Sequence, residues 1–255
     1  MPAHVGDRVV EPGWFVRREN RFVATVARAD GVEVRAYVPN TARLVDLLVP
    51  GAPVRLARAA DPRRRTRWTL TRVWDGTWVA IDAAAAAGLL ADALASGVAL
   101  PGWPAPAGVR REVPVGEHRI DLAVALPDDR EALVEVKSLT GARGRVAALS
   151  RTPSARGAAQ LAALGEHAAA GTPTAVAFVV QRADVDALDL DAPADPGWRA
   201  AVQRARAAGV DVAAFRCAVT PETLRLDAAL AVLPRAEVRV PVIVTRCWAD
   251  DRVGG

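Results

Sequence analysis

Val134-Glu135-Val136-Lys137 alternates apolar and charged residues, and that alternation predicts a β-strand. Residues two apart on a strand face the same way. Glu135 and Lys137 then project side by side, while Val134 and Val136 enter the core. Fourteen residues before Glu135, Ile120-Asp121-Leu122-Ala123-Val124 predicts a second strand with an acid on it. Lys137 is also the only lysine, since every other member of the 33 Lys plus Arg is arginine. A chain rich in Ala, Arg, Gly and Pro suits a GC-rich coding sequence, which favours arginine codons. A lysine kept against that bias singles out its position.

Two acids and one lysine on adjacent strands are the parts of a metal-dependent phosphodiester-cleaving site. Mg²⁺ is hard and takes oxygen ligands, usually one or two carboxylates with waters and substrate phosphate. Asp121 and Glu135 could supply the carboxylates to Mg²⁺ or Mn²⁺. Lysine offers a compact charge with an adjustable pKa, which arginine lacks. The same spacing also fits a surface pair on an edge strand, and spacing alone favours that plainer alternative.

Composition sets outer bounds. The 255 residues suffice for one large or two small domains. A chain 51% hydrophobic and 24% charged has a globular balance. The net charge of +4 is compatible with a nucleic-acid partner. Cys217 and Cys247 lack metal-ligand spacing and suit reduced thiols in a cytoplasmic protein. Residues 1–8 have no apolar run of the signal-peptide kind, and no segment approaches the roughly 20 apolar residues that span a bilayer. Oligomeric state is not readable from the sequence. His4, His118 and His167 are scattered, and only His118 falls beside a candidate strand.

The chain has two textures. From Trp14 to Asp82, short alternating runs are separated by turns: 22–27, 32–38, 54–58, 68–74 and 77–81. Asp30-Gly31 and Asp75-Gly76 sit between such runs and predict hairpins. About five strands in this length suit a small barrel of the oligonucleotide-binding (OB) kind. An SH3-like barrel fits nearly as well. From Ala83 on, helices are predicted over 83–96, 154–170 and 196–208, each followed by glycine. Strands are predicted over 109–115, 118–125, 132–137, 174–180 and 211–215, with Val238–Val244 as a possible edge strand. Helices and strands in alternation predict a mixed α/β sheet.

Further stretches resemble one family. Arg18-Glu19-Asn20-Arg21-Phe22, Val38-Pro39-Asn40-Thr41, Arg43-Leu44 and Arg65-Thr66 are similar to the first half of the sugar fermentation stimulation protein (SfsA) family. Arg119-Ile120-Asp121, Glu135-Val136-Lys137-Ser138, Arg156-Gly157, Val180-Gln181-Arg182 and Asp195-Pro196 resemble its second half. The resemblance implies an OB-fold-like domain over residues 1–82 and a PD-(D/E)xK nuclease-like domain over 83–235, leaving 236–255 as closing strand and tail. It implies DNA as ligand and carries site roles onto Asp121, Glu135 and Lys137, with Glu112 at a further acid position. Gln160, on the helix behind the site, keeps a role common in related nucleases. Tyr37 and Ala42 replace a family His and Gly, and residues 149–154 have lost a family acid. These departures bear on catalysis more than on DNA binding.

Two arginine-rich stretches point to DNA independently. Arg63, Arg64, Arg65 and Arg67 lie close to Trp68 and Trp74, with only Asp61 against them. Arginines neutralise phosphates, and aromatics stack on bases; the tryptophans serve equally as barrel core, which the sequence favours. Arg143, Arg145, Arg151 and Arg156 occupy a stretch with no acid between Glu135 and Glu166. Arg21 and Arg43, from the resembling stretches, complete the candidate DNA contacts. The function expected is a Mg²⁺-dependent deoxyribonuclease acting on duplex or single-stranded DNA. The alternative is a non-catalytic DNA-binding regulator of sugar metabolism on a nuclease scaffold.

Overall fold

The computed structural model describes residues 9–59, 61, 63–149, 155–191 and 195–233. The strand expected over 238–244, together with His4, Arg151 and Cys247, lies outside them. Six strands come first: β1 (Val10–Asn20), β2 (Val23–Arg28), β3 (Glu33–Tyr37), β4 (Pro53–Arg58), β5 (Trp68–Trp74) and β6 (Trp78–Ala80). They order as β3-β2-β1-β4-β5-β6, and a parallel contact of β3 with β5 (Ala36↔Trp68, Tyr37↔Thr69) closes the barrel. Its core holds Phe15, Val26, Val54, Leu56, Leu70, Val73 and Ile81. Each fully buried side chain of this size contributes about 1.5–3 kcal/mol.

The long strand β1 escapes the alternation rule. Its pairing with β2 shifts register between Phe15 and Arg17 and again between Arg18 and Asn20, so no clean alternation survives in the sequence. Gly13 is the other reason. A Cβ there would lie 2.9 Å from the Ala27 carbonyl oxygen and 2.9 Å from Val26 Cγ1, so the strand needs glycine to pass. Trp68 is buried in the barrel, whereas Trp74 is 43% exposed; the tryptophans split between the two roles the sequence allows.

Helix α1 (Ala85–Ala95) leads into the second body. Its main sheet adds β7 (Gly108–Val115), β8 (His118–Ala125), β9 (Glu131–Leu139), β12 (Thr174–Val180), β14 (Asp211–Val219) and β15 (Leu224–Ala229), ordered β15-β14-β12-β9-β8-β7. β12 runs parallel to both β9 and β14, and β8 is antiparallel to β9. The seven residues of β12 are all buried. Its period of two sends Val176, Phe178 and Val180 to one face and Ala175, Ala177 and Val179 to the other. The first face packs on α2 (Ala155–Ala169) and α3 (Pro196–Ala207), the second on α1. Asp195 caps α3 by accepting a hydrogen bond from the Trp198 N–H at 2.9 Å.

A small second sheet has no signature in the sequence. β10 (Ala142–Arg143), β11 (Val146–Ala148), β13 (Ala187–Asp189) and β16 (Ala231–Leu233) form it in the order β10-β11-β13-β16. Strands of two or three residues are too short to show a period. The acid-free stretch after β9 is therefore partly a hairpin, with Ala147 and Leu149 in the core.

The barrel is bolted to the main sheet at the end of β12. The Ala80 N–H donates to the Gln181 carbonyl oxygen at 3.0 Å, and Gln181 Nε2 donates to the Asp82 carbonyl oxygen at 2.6 Å. Arg182, 5% exposed, reaches Asp75 of the barrel at 3.1 Å and Asp184 at 2.6 Å. Arg72 of β5 is buried and donates to the Glu222 carbonyl oxygen at 3.1 Å, so it belongs to this joint and not to the barrel's exposed arginines.

Candidate active site

The site forms where β8 and β9 part. Their backbone pairing runs from Ala125↔Glu131 to Leu122↔Val134 and stops there. Beyond that point the Val136 N–H donates to Asp121 Oδ2 at 2.8 Å, so a side chain takes a bond the ladder no longer makes. The Asp121 carboxylate is thereby aimed toward Glu135, its neighbour along the parting strands.

β9 is an interior strand, and Glu135 is 1% exposed. That excludes the edge-strand surface pair. Val134 and Val136 pack in the core on the α1 side, as their alternation predicts. Glu135 and Lys137 share the other direction, and Lys137 Nζ donates to Glu135 Oε1. The lysine also donates to Gln160 Oε1 at 3.0 Å. Gln160 sits buried on α2, and its Nε2 donates to the Arg119 carbonyl oxygen at 3.3 Å. The Trp198 ring of α3 lies 6.0 Å from Nζ and closes the lysine's far side, at the limit of a cation–π contact. Trp198 has no mark in the sequence beyond the Asp195-Pro196 helix start two residues before it.

Burial raises the pKa of Asp121 above the usual carboxylate range, opposed by the Val136 N–H and by Lys137 and Arg156. Burial likewise raises that of Glu135, with the Asp121 charge adding to it and Lys137 and the Asp121 backbone N–H opposing it. Two largely buried carboxylates face one lysine, and Glu135 Oε2 is buried with no hydrogen-bond partner. An oxygen in that state is stabilised by a cation. The donor set suits a hard divalent ion, which takes one or two carboxylates and completes its shell with waters and phosphate. No group of three or more His, Cys, Asp or Glu gathers anywhere among the described residues, so the site offers two carboxylates.

The remaining candidates are distributed. Glu112 has φ +53° and is exposed, with its carboxylate on Arg119 at 3.0 Å. Arg63 has a side chain 91% exposed, Arg65 and Arg67 are exposed, and Arg64 stacks on Tyr37 at 4.9 Å. Arg143 and Arg156 are exposed, and the Arg156 charge acts on Asp121. Arg145 is held by Asp186, with Nη2 to Oδ1 at 2.7 Å, so its charge already has a partner that the gap in acids between 135 and 166 concealed. Arg21 and Arg43 come together at the barrel end, far in sequence from the lysine.

Comparison with known proteins supports this architecture. Residues 16–81 match the SfsA N-terminal OB domain, and residues 84–223 match the sugar fermentation stimulation protein RE domain. The sugar fermentation stimulation protein homolog of Rhodospirillum centenum is 36% identical over 222 residues, covering 86% of this chain and 95% of that protein. That of Acetivibrio thermocellus is 37% identical over 215 residues, covering 84% and 91%. The structure of Pyrococcus furiosus SfsA in complex with Ca²⁺ superposes with a TM-score of 0.80 at 26% identity, covering 92% of this chain and all of that one. The barrel is therefore an OB fold, not SH3-like, and the second body is the mixed α/β domain of that family.

Proposed function

This chain belongs to the sugar fermentation stimulation protein family, and from that premise we propose that it is a DNA-binding protein that cleaves phosphodiester bonds with Mg²⁺ or Mn²⁺. The observation that carries the reading is the partnerless, buried Glu135 Oε2 beside the Asp121 carboxylate. The Ca²⁺ bound by the Pyrococcus furiosus relative supports a site for a hard divalent ion.

Asp121 and Glu135 would hold the ion, which when bound acidifies water and offsets charge on a scissile phosphate. The protein's own groups do the positioning. The Val136 N–H fixes Asp121, and Gln160 fixes Lys137, itself braced on the Arg119 carbonyl. Lys137 thereby presents one ammonium at a fixed point, able to donate to a phosphate oxygen or to orient the attacking water. Exposed Arg143 and Arg156 can hold the flanking phosphates, while Arg63, Arg64, Arg65 and Arg67 extend the contact along the barrel. No helix among the described residues is long and apolar enough to cross a membrane, and the reading places the protein with DNA in the cytoplasm.

The test is incubation of purified protein with single-stranded, duplex and branched DNA in Mg²⁺, Mn²⁺ or chelator. Metal-dependent cleavage that vanishes in Asp121→Asn is the expected result. DNA binding without cleavage under any of these conditions would leave the regulator of sugar metabolism as the function of this scaffold. Absence of DNA binding in every form overturns both.

A further inference from the structure

The barrel carries a cleft lined by four arginines, three of which make no ion pair among the described residues. Arg18, at the end of β1, is half-buried and makes no ion pair among the described residues. Its guanidinium N–H groups go to backbone carbonyls instead. Nε donates to Asn20, Nη1 to Ala42 and Arg43, and Nη2 to Arg21 and Asn40, at 2.6 to 3.2 Å. A guanidinium has five donors and no acceptor, so this one is saturated. Neutral carbonyls satisfy its hydrogen bonds but leave its full positive charge in place. The side chain thus knits the β1–β2 turn to the loop after β3 and leaves a fixed cation under both.

Arg21 and Arg43 stand on those two stretches, exposed, and neither makes an ion pair among the described residues. With Arg17 and Arg18 they line a cleft of about 780 Å³ that has no acid in its wall. Arg17 is engaged outside the cleft, 3.8 Å from Glu33. Burial lowers the Arg18 pKa, and Arg21 lowers it further, which records the repulsion between the two cations. The rest of the wall is mostly apolar, with Asn20 and Thr41 as its polar members: Phe15 and Leu48 are buried, and Val45 is 66% exposed. Uncompensated cations at the rim and an apolar wall below fit a ligand with an anion at one end and a flat, weakly polar body at the other.

We propose that this cleft binds one unpaired nucleotide of single-stranded DNA, its phosphate between Arg21 and Arg43 and its base against the Phe15–Val45–Leu48 wall. This rests on the DNA reading above and specifies the form of DNA that the barrel takes. Duplex DNA keeps its bases stacked inside and can offer only phosphates here. A single strand offers both parts, and apolar contact with a base is tolerant of sequence. One phosphate neutralised on a single strand adds about 0.7 to the salt slope, equivalent to roughly 5-fold in affinity at 0.1 M salt.

The experiment uses the full chain and a fluorescent oligothymidylate. Arg21→Ala/Arg43→Ala is expected to lose roughly 5-fold in affinity at 0.1 M salt, with the slope flattened by about 0.7. Val45→Asn, which adds no charge and removes the apolar contact at an exposed position, should weaken single-strand binding while keeping duplex binding. Thymidine monophosphate should displace the oligonucleotide better than inorganic phosphate at equal concentration. Thermal unfolding confirms that each variant folds, and Mn²⁺ binding at Asp121 and Glu135 should be unchanged in both. Wild-type affinity and slope in the double variant would overturn the proposal. Equal displacement by inorganic phosphate, or by duplex DNA, would overturn the nucleotide assignment, and tighter binding of the matching single-stranded RNA would overturn the choice of DNA. If wild type binds no DNA at all, the functional reading falls with it; if wild type binds and cleaves DNA while the variants bind equally well, only the cleft assignment falls.

Discussion

Two charge clusters, one at the end of β12 and one on β8 and β9, serve opposite roles. At the end of β12, Arg182 donates to Asp184 through Nε and Nη2 at 2.6 and 2.8 Å, to Asp75 at 3.1 Å and to the Thr140 carbonyl at 3.2 Å. Its pKa is raised, chiefly by the Asp184 hydrogen bond, and that of Asp184 is lowered by the same contact. Each charge there is held more firmly as a charge. On β8 and β9 the balance runs the other way. Asp121 and Glu135 have pKa values raised by burial, one lysine serves both, and an oxygen of Glu135 goes unbonded. The joint pairs the Arg182 charge, although Arg72 Nε and Gln181 Oε1 there are also buried without a partner; what sets the Asp121–Glu135 pair apart is that burial works against its charges. A site built to receive a cation is left short of one.

The contrast can be broken first at the lysine. Lys137→Arg should keep stability and most DNA affinity yet lose cleavage by on the order of 100-fold, the cost of displacing a catalytic group by about 1 Å. Arginine is longer, planar and never deprotonated, so it cannot sit between Glu135 and Gln160 as Nζ does. Full activity in that variant would remove Lys137 from the chemistry.

Arg182→Ala attacks the other cluster. It removes a buried cation from the interdomain joint and should cost about 2–3 kcal/mol in denaturant unfolding, without touching the Asp121–Glu135 pair. Unfolding that splits into two separate transitions would locate the loss at the joint. An unchanged midpoint would show the joint to be held by Gln181 and Arg72 alone.

The third prediction follows from the sign of the carboxyl shifts. In chelator, the folded state holds the protons of Asp121 and Glu135 more tightly than the unfolded chain does. Their contribution to stability is full below the ordinary carboxylate range and is lost as pH rises through the raised values. Asp121→Asn keeps an oxygen for the Val136 N–H and removes one of the two like charges. It should stabilise the metal-free protein by about 1 kcal/mol near neutral pH and flatten the decline with pH. A destabilised variant, or an unaltered pH profile, would contradict the unfavourable pairing.

Smallest in stability is the effect at the exposed barrel arginines. Replacing Arg63, Arg64 and Arg65 with Ala should change stability by less than about 0.5 kcal/mol. The salt slope of duplex binding should fall by about 0.9 for each phosphate that is no longer neutralised. An unaltered slope would take this stretch out of the interface.

The division between the two clusters is half legible in the sequence. Lys137 is conspicuous because composition isolates it, and the period of two puts Glu135 beside it. Asp121 follows from a second alternating run. The burial of Glu135 is not legible, because Glu-x-Lys reads the same on an edge strand and on an interior one; β12 decides it, by pairing Val176↔Glu135. Gln181-Arg182 stands within a recognisable stretch, but its partners Asp82 and Asp75 lie 99 and 107 residues away, and no local pattern encodes a joint. Arg18 is a similar case. Its partners are carbonyls, which every residue carries, so nothing in the side-chain sequence marks them. Among the elements, β1 is hidden by two register shifts and the small sheet by strands too short for a period.

Titration of Mn²⁺ into the metal-free protein by calorimetry tests the claim about Asp121 and Glu135 directly, because it needs neither a DNA substrate nor turnover. Wild type should bind with a measurable heat, and Asp121→Asn and Glu135→Gln, both folded by thermal unfolding, should each bind at least about tenfold more weakly, since each removes one of two charged oxygen ligands. The same Mn²⁺ affinity in all three proteins would mean that the unbonded oxygen of Glu135 receives no metal, and the site would have to be sought elsewhere.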